Sequence, residues 1–143
     1  MTKSRGIGLR LTYAVTVFPH HTDYAGVVWH GAYINWLEEA RVVWLAEVGV
    51  SYADLVAEGI ELPVVEMAVR YHRSARMGDR LHITAKSDCQ GVRLLWHYQI
   101  QRHEELCLTA QVTLVPVDMQ KRKILRSLPQ RLEMAIAKLM QSN

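Results

Sequence analysis

The sequence has few cysteines and no long apolar run. Cys89 and Cys107 are its only cysteines among 143 residues, and neither stands in a Cys-x-x-Cys or Cys/His spacing. We therefore expect buried free thiols in a reducing compartment rather than a disulfide framework. No apolar stretch approaches the roughly 20 residues that a transmembrane helix needs. Residues 2–5 are basic, but an alternating strand pattern follows them, so no signal peptide is expected and the predicted location is the cytoplasm.

Linkers and strongly charged tracts are also missing. No Pro/Gly/Ser-rich stretch divides the chain, and its length is close to the commonest domain size, so residues 1–143 are predicted to form one domain. The formal net charge is only +3 and no dense basic tract is present, which argues against a nucleic-acid partner. Half of the residues are hydrophobic, which is enough for a sizeable core.

The chain is organised around residues 18–49, where a strand is predicted to lead through a tight turn into one long helix. Asp23 stands in the turn, Gly26 allows the sharp change of direction, and Gly49 is a natural helix end. A carboxylate thus precedes a helix start whose backbone N–H groups have no intrahelical acceptors. The apolar residues at helical spacing are Tyr33, Trp36, Leu37, Ala40, Val43, Trp44 and Val48, and the charged residues that fall largely elsewhere are Glu38, Glu39, Arg41 and Glu47.

The other segments show the patterns of strands and shorter helices. Ser51 with Asp54 has the form of a capping box that opens a short helix, and Gly59 is expected to close it. This order of elements predicts an α+β architecture, in which an antiparallel sheet of about five strands wraps around one long central helix. One helix cannot cover both faces of such a sheet, so self-association is expected to bury the second face or an edge. The predicted strands cover residues 9–17, 62–71, 81–86, 92–100 and 106–114, and an amphipathic helix follows Pro129.

One long segment carries a resemblance to a known family. Residues 21–41, HTDYAGVVWHGAYINWLEEAR, together with Arg70-Tyr71 and the block ARMGDRL at 75–81, resemble the hotdog-fold thioesterases. The similarity is to the 4-hydroxybenzoyl-CoA thioesterase family, in particular its Tol-Pal-associated acyl-CoA thioesterase type, and it runs from about Tyr13 to Val117. It implies a hotdog fold and an acyl-CoA thioesterase without a cofactor. It also implies a homodimer with sites between subunits, paired further into a homotetramer.

The resemblance implies three catalytic groups. Asp23 matches the family's catalytic carboxylate, His30 matches a histidine of many short-chain acyl-CoA members, and the backbone N–H groups near His30 and Gly31 match the donors that polarise the thioester carbonyl. Asp23 could attack the carbonyl directly or activate water, and the residues leave both routes open. By itself, Asp23 also reads as a turn residue that hydrogen-bonds its own backbone. His30 equally reads as a helix cap.

Further candidates concern the substrate. Trp29, adjacent to Asp23's turn, is expected to line an acyl pocket, and Glu66 is a candidate partner across a subunit interface or else an exposed strand carboxylate. A metal site is not expected, because the adjacent His20 and His21 would point to opposite faces of a strand and no His-x-x-x-His or His-x-His pair is present. The cations that could contact coenzyme A phosphates are Arg70, Arg73, Arg76, Lys121, Arg122 and Lys123.

Three departures from the family's pattern are present, and two other functions stay open. His21 stands where the family often has an acid, Pro19-His20 is unusual, and Ser74 replaces a frequent proline. The acyl group could be short or medium-chain, or aromatic as in 4-hydroxybenzoyl-CoA or 1,4-dihydroxy-2-naphthoyl-CoA. The alternatives are a hotdog acyl-CoA hydratase or dehydratase, and a non-catalytic acyl-CoA binding protein.

Overall fold

The structure, a computed structural model, describes residues 11–141, so the predicted strand positions 9 and 10 and the basic residues 2–5 lie outside the described residues. Eleven helices and strands, besides a short 3-10 helix at Pro19–His21, follow one another along the chain. The helices are α1 (His30–Glu47), α2 (Tyr52–Ala57) and α3 (Gln130–Gln141). The strands are β1 (Thr12–Thr16), β2 (Ile60–Glu61), β3 (Val64–Tyr71), β4 (Arg80–Gln90), β5 (Arg93–Arg102), β6 (Glu105–Leu114), β7 (Val117–Asp118) and β8 (Lys123–Ile124).

The sheet confirms the predicted α+β architecture. Five strands pair antiparallel in the order β1-β4-β5-β6-β3, so β3 and β1 form its two edges. The three two-residue strands form a separate sheet in the order β2-β7-β8. No alternating pattern predicted these short strands, because two residues do not complete one period of side-chain alternation.

The long helix packs against the inner face of the five-stranded sheet. Trp44 of α1 stacks on Trp96 of β5 with ring centroids 6.0 Å apart, and Tyr98 donates its hydroxyl hydrogen to the carbonyl of Leu37 at 3.2 Å. Trp36, Trp44 and Trp96 are all buried. The amphipathic helix α3 packs beside α1 against β4. The outer face therefore remains polar, and it bears Thr84, Lys86, His97, Gln99, Thr109 and Gln111.

Two features of α1 differ from the sequence pattern. The helix begins at His30, three residues before the first apolar position at helical spacing, because Trp29 is the last residue with extended backbone. Arg41 was predicted away from the apolar side, but it is buried, and it donates to the Tyr98 hydroxyl at 3.2 Å. Burial raises the pKa of Tyr98, so this phenol stays neutral and able to accept from the guanidinium.

The predicted cap of α2 and the predicted end of α1 are confirmed. Ser51 caps α2 by accepting a hydrogen bond from the Asp54 amide at 3.0 Å. Gly49 follows the end of α1 with a φ of +97°, a backbone conformation that favours glycine. Cys107 is buried and Cys89 is half-buried, and both are free thiols. Within residues 11–141, no helix is both long and apolar enough to cross a membrane.

Candidate active site

The turn before α1 holds Asp23 by its own carboxylate. Oδ1 accepts hydrogen bonds from the amides of Ala25 at 2.9 Å and Val27 at 3.1 Å, and Gly26 takes a φ of +80° within this turn. The local reading of Asp23 as a turn residue is therefore confirmed. Its other oxygen, Oδ2, has no hydrogen-bond partner among the described residues, and the side chain is exposed. The turn thus orients the carboxylate and leaves one oxygen available for chemistry.

The start of α1 follows this turn closely, and its first amides have no hydrogen-bond acceptor among residues 11–141. Trp29 occupies the cap position without a side-chain cap, and no acidic residue stands in the first turn of the helix. The amides of His30 and Gly31 precede the first residues that can bond within the helix. Partial positive charge at a helix N-terminus adds to these donors. Such a group can stabilise an oxyanion that develops on a carbonyl.

Trp29 lies across Gly31. A Cβ built on Gly31 would overlap the six-membered ring of the Trp29 indole, so only glycine leaves room for the ring in this position. Trp29 is 48 % exposed, whereas the other three tryptophans are buried. The indole therefore forms an apolar wall beside the helix donors, which is consistent with the predicted lining of an acyl pocket.

Replacing Gly31 with alanine is expected to displace the Trp29 ring and to lower kcat about tenfold, because the acyl group would lose its fixed wall. Acrylamide quenching checks the displacement, since Trp29 is the exposed tryptophan among the four. In a Trp29→Ala background, Gly31→Ala should cause no further loss of kcat, because the indole ring that clashes with the new Cβ is absent. Equal effects of Gly31→Ala with and without the indole would contradict the arrangement.

His30 lies among tyrosines that the sequence did not single out as site residues. Its ring centroid is 5.8 Å from that of Tyr71 at the end of β3, and Tyr71 is 5.6 Å from Tyr33 of α1. The Tyr33 hydroxyl accepts a hydrogen bond from the Ala75 amide at 3.2 Å. The hydrogen bond joins residues 42 positions apart, and the ring contacts join α1 to the end of β3, so no local spacing in the sequence reports them.

The predicted substrate residues fall into two groups. Arg76 forms an isolated antiparallel bridge with Val27 and so borders Asp23's turn, whereas Arg73 precedes this loop in the chain and lies 3.9 Å from Glu105. Arg70 alternates with Tyr71 and so projects from the outer face of the sheet. The others lie apart from Asp23 along the fold: Glu66 pairs with Arg93 at 3.2 Å, and Lys121, Arg122 and Lys123 lie at the turn between β7 and β8.

His21 closes the 3-10 helix just before Asp23. Its Nδ1 accepts a hydrogen bond from the Phe18 amide at 2.9 Å, which requires an unprotonated nitrogen. Burial, together with the neighbouring His20, lowers the pKa of His21 despite an opposing effect of Glu39. The described residues contain no cluster of three or more His, Cys, Asp or Glu side chains that could hold a metal ion.

The lowered pKa makes this turn sensitive to acid. A group whose folded pKa is depressed below its ordinary value of 6.5 stabilises the fold above that value, and this contribution is lost as the pH falls through the folded pKa. We expect the melting temperature to drop between about pH 7 and pH 5, and to drop less in His21→Gln, whose amide oxygen can accept from Phe18 without titrating. Identical pH profiles of both proteins would exclude His21 as the cause.

One long helix packed on a five-stranded antiparallel sheet, with Asp23's turn shortly before the start of that helix, is the arrangement of a hotdog-fold protein. The chain belongs to the thioesterase-like superfamily, whose family model matches residues 17–136. The Synechocystis protein sll0410, provisionally named an esterase, is 50% identical over 130 residues, which cover 89% of this chain and 78% of that protein. The acyl-CoA thioester hydrolase YbgC of Escherichia coli O6:H1 is 35% identical over 119 residues, which cover 82% of this chain and 88% of that protein.

A solved structure agrees with these sequence relatives. The crystal structure of Slr0204, a 1,4-dihydroxy-2-naphthoyl-CoA thioesterase from Synechocystis, superposes with a TM-score of 0.84 at 29% identity, covering 90% of this chain and 96% of that one. The predicted hotdog fold and the predicted thioesterase class are thereby confirmed. The roles of the individual site residues stay predictions.

Proposed function

We propose that this protein hydrolyses acyl-CoA thioesters with Asp23 as nucleophile or general base. One observation supports this role. The turn before α1 orients the Asp23 carboxylate and leaves Oδ2 without a hydrogen-bond partner among the described residues, and the helix start that follows has no side-chain cap. As general base, Asp23 takes a proton from the water that adds to the acyl carbon before the carbon–sulfur bond breaks; as nucleophile, Asp23 adds first, the thiolate leaves and water then cleaves the anhydride. Both routes give the free acid and the coenzyme A thiol. The amides of His30 and Gly31 would stabilise the oxyanion, where one such donor is typically worth about 3 kcal/mol.

We further propose that the active unit is a dimer paired into a homotetramer. Three site residues are exposed in the single chain: Asp23, Trp29 and Tyr71. An enclosed site that excludes water would strengthen the electrostatic stabilisation of the reaction, so a second subunit is expected to cover them. The edge strand β3 carries exposed Val64 and Val65, which is the kind of edge that another strand can pair with. A second copy on β3 would cover this edge. A cytoplasmic location agrees with this substrate, because acyl-CoA is an intracellular metabolite class.

The substrate class follows from the side chains around the helix start. Trp29, His30 and Tyr71 present flat rings near the proposed oxyanion position, which favours an aromatic acyl group over a short aliphatic one. Examples are 4-hydroxybenzoyl-CoA and 1,4-dihydroxy-2-naphthoyl-CoA, and the latter is the substrate named for Slr0204. Arg76, which bridges to Val27, is the cation that we assign to the phosphates of coenzyme A, and Arg73 is the second candidate because it lies three residues before Arg76.

A panel of thioesters tests the proposal. Aromatic and short or medium aliphatic acyl-CoAs are supplied at equal concentration, and thiol release is recorded together with hydration of an enoyl-CoA. We expect thiol release with the highest kcat/KM on the aromatic members. Hydration without thiol release would instead identify a hydratase. Saturable binding without any turnover would identify an acyl-CoA binding protein.

A further inference from the structure

The end of β5 carries a guanidinium that binds three groups of neighbouring segments. Arg102 donates from Nη1 to Asp79 Oδ2 at 2.9 Å and to the Ser74 carbonyl at 3.2 Å. From Nη2 it donates to Glu105 Oε1 at 2.7 Å. Its side chain and that of Asp79 are only 21% and 24% exposed, so water competes weakly for the pair. The planar fork of arginine suits these simultaneous bonds, which a lysine could not reproduce.

Asp79 in turn fixes the conformation of the loop from Ser74 to Asp79, which we call the bracing loop. The same Oδ2 that binds Arg102 accepts from the Arg76 amide at 2.9 Å, and the Asp79 amide donates to the Arg76 carbonyl at 3.0 Å. Burial by itself would raise the pKa of Asp79, but hydrogen bonds from the Arg76 amide and from Arg102 outweigh this effect, so the pKa of Asp79 is lowered. The carboxylate is therefore charged throughout the neutral pH range.

The bracing loop holds both ends of the segment that contains Asp23. On the N-terminal side, the Val17 amide donates to the Asp79 carbonyl at 2.9 Å and the Gly78 amide donates to the Val17 carbonyl at 2.8 Å. On the C-terminal side, the Met77 amide donates to the Gly26 carbonyl at 3.2 Å. The segment between Val17 and Gly26 is thus closed into a loop by bonds to one partner.

The same loop also connects Asp23's turn to the helix. The Val28 amide donates to the Ala75 carbonyl at 2.9 Å, and the Ala75 amide donates to the Tyr33 hydroxyl at 3.2 Å. Ala75 therefore bonds to the residue before Trp29 and to the first complete turn of α1. The relative position of the Asp23 carboxylate and the helix amides depends on this connection.

We propose that Arg102 and Asp79 are positioning residues for the reaction: their ion pair fixes the bracing loop, and the bracing loop fixes Asp23 against the start of α1. This proposal rests on the proposed role of Asp23. A displacement of about 1 Å at a reacting group can cost on the order of 100-fold in rate, so the effect should fall on kcat. Arg76 belongs to the same loop and is bonded to Asp79, so its displacement should raise KM as well, and the loss in kcat at saturating substrate is the effect that reports on Asp23.

The test compares matched variants in the oligomeric enzyme. Arg102→Met removes the guanidinium but keeps an apolar stem, and we expect kcat at saturating substrate to fall roughly 30- to 100-fold, with a rise in KM because Arg76 moves with the loop. Asp79→Asn keeps the acceptor for the Arg76 amide and should lose only about three- to tenfold, which serves as the conservative variant. Arg131→Met is the control, because it breaks an ion pair of similar length, 2.8 Å to Glu58, away from the bracing loop.

Hydrogen exchange supplies a readout that does not depend on turnover. In Arg102→Met, a peptide covering residues 18–30 should exchange faster, whereas peptides from β5 should keep wild-type protection. Unchanged kcat in a folded Arg102→Met enzyme, or an equal loss in Arg131→Met, would overturn the proposal. Unchanged protection of 18–30 in both Arg102→Met and Asp79→Asn would overturn it as well. If Asp23→Asn retained full activity, the proposed function would fail, whereas exchange at 18–30 would still decide whether the pair holds this segment.

Discussion

Asp23→Asn is expected to lower kcat by roughly 10²- to 10⁴-fold, the range that a positioned acid or base contributes. The asparagine Oδ1 can still accept from the Ala25 and Val27 amides, so the turn should persist while the charge and the nucleophilic oxygen disappear. Thiol release from the best acyl-CoA of the panel measures the loss. Circular dichroism and the melting temperature check that the fold is retained.

Asp118 offers a matched control for this substitution. Its Oδ1 accepts from the Gln120 and Lys121 amides at 2.9 and 3.0 Å, so it forms the same kind of turn in another part of the chain. Asp118→Asn should leave kcat within about twofold of wild type, since surface substitutions away from the chemistry are usually small in effect. Comparable losses in both variants would mean that the asparagine acts through stability and would remove Asp23 from its proposed role.

The second large effect is expected at the edge of the sheet. Val65→Lys places a charge on β3, where Val65 is 49% exposed in the single chain, and lysines on edge strands are a common means of preventing strand pairing. We expect mainly monomers and a fall in turnover of about 100-fold, because each site would lose the subunit that completes it. Light scattering after gel filtration and the dependence of activity on protein concentration measure both changes.

Val56→Lys is the control that separates loss of assembly from a general loss of stability caused by a new surface charge. Val56 is 54% exposed on α2, away from the edge strand, so this variant should remain assembled and active. A Val65→Lys protein that is monomeric but fully active would show that one chain forms a complete site. Full assembly of Val65→Lys would show that β3 is not the contact.

The sequence predicted the long elements because they repeat their pattern many times. The residues of β4, β5 and β6 alternate between apolar and polar, and the apolar residues of α1 recur at helical spacing. Both patterns follow from the direction in which the backbone points successive side chains. The apolar spacing did not predict the first turn of α1, because His30 and Gly31 are not apolar. The helix starts there because Trp29 is the last residue with extended backbone. The apolar spacing did not predict the burial of Arg41 either, because its hydroxyl partner lies on β5, 57 residues away.

The site was predictable only in part. Asp23 and the helix amides are close in sequence, and the resemblance to thioesterases identified them together. Arg102 and Asp79 are linked to the segment that contains Asp23 through loop contacts, and Tyr71 meets His30 at the end of β3, which no local spacing reports. Arg70 and Tyr71 show the reverse case: they are adjacent in sequence, yet a strand sends them to opposite faces, so only Tyr71 joins the site.

The contact between Trp29 and Gly31 limits how this enzyme can be redesigned. A library that varies either position alone would sample mostly clashes or gaps, because the volume at one position is already occupied by the ring from the other. Randomising the two codons together would allow a smaller ring to appear beside a larger second residue. Changes of acyl preference obtained by directed evolution should therefore arrive as paired substitutions at 29 and 31.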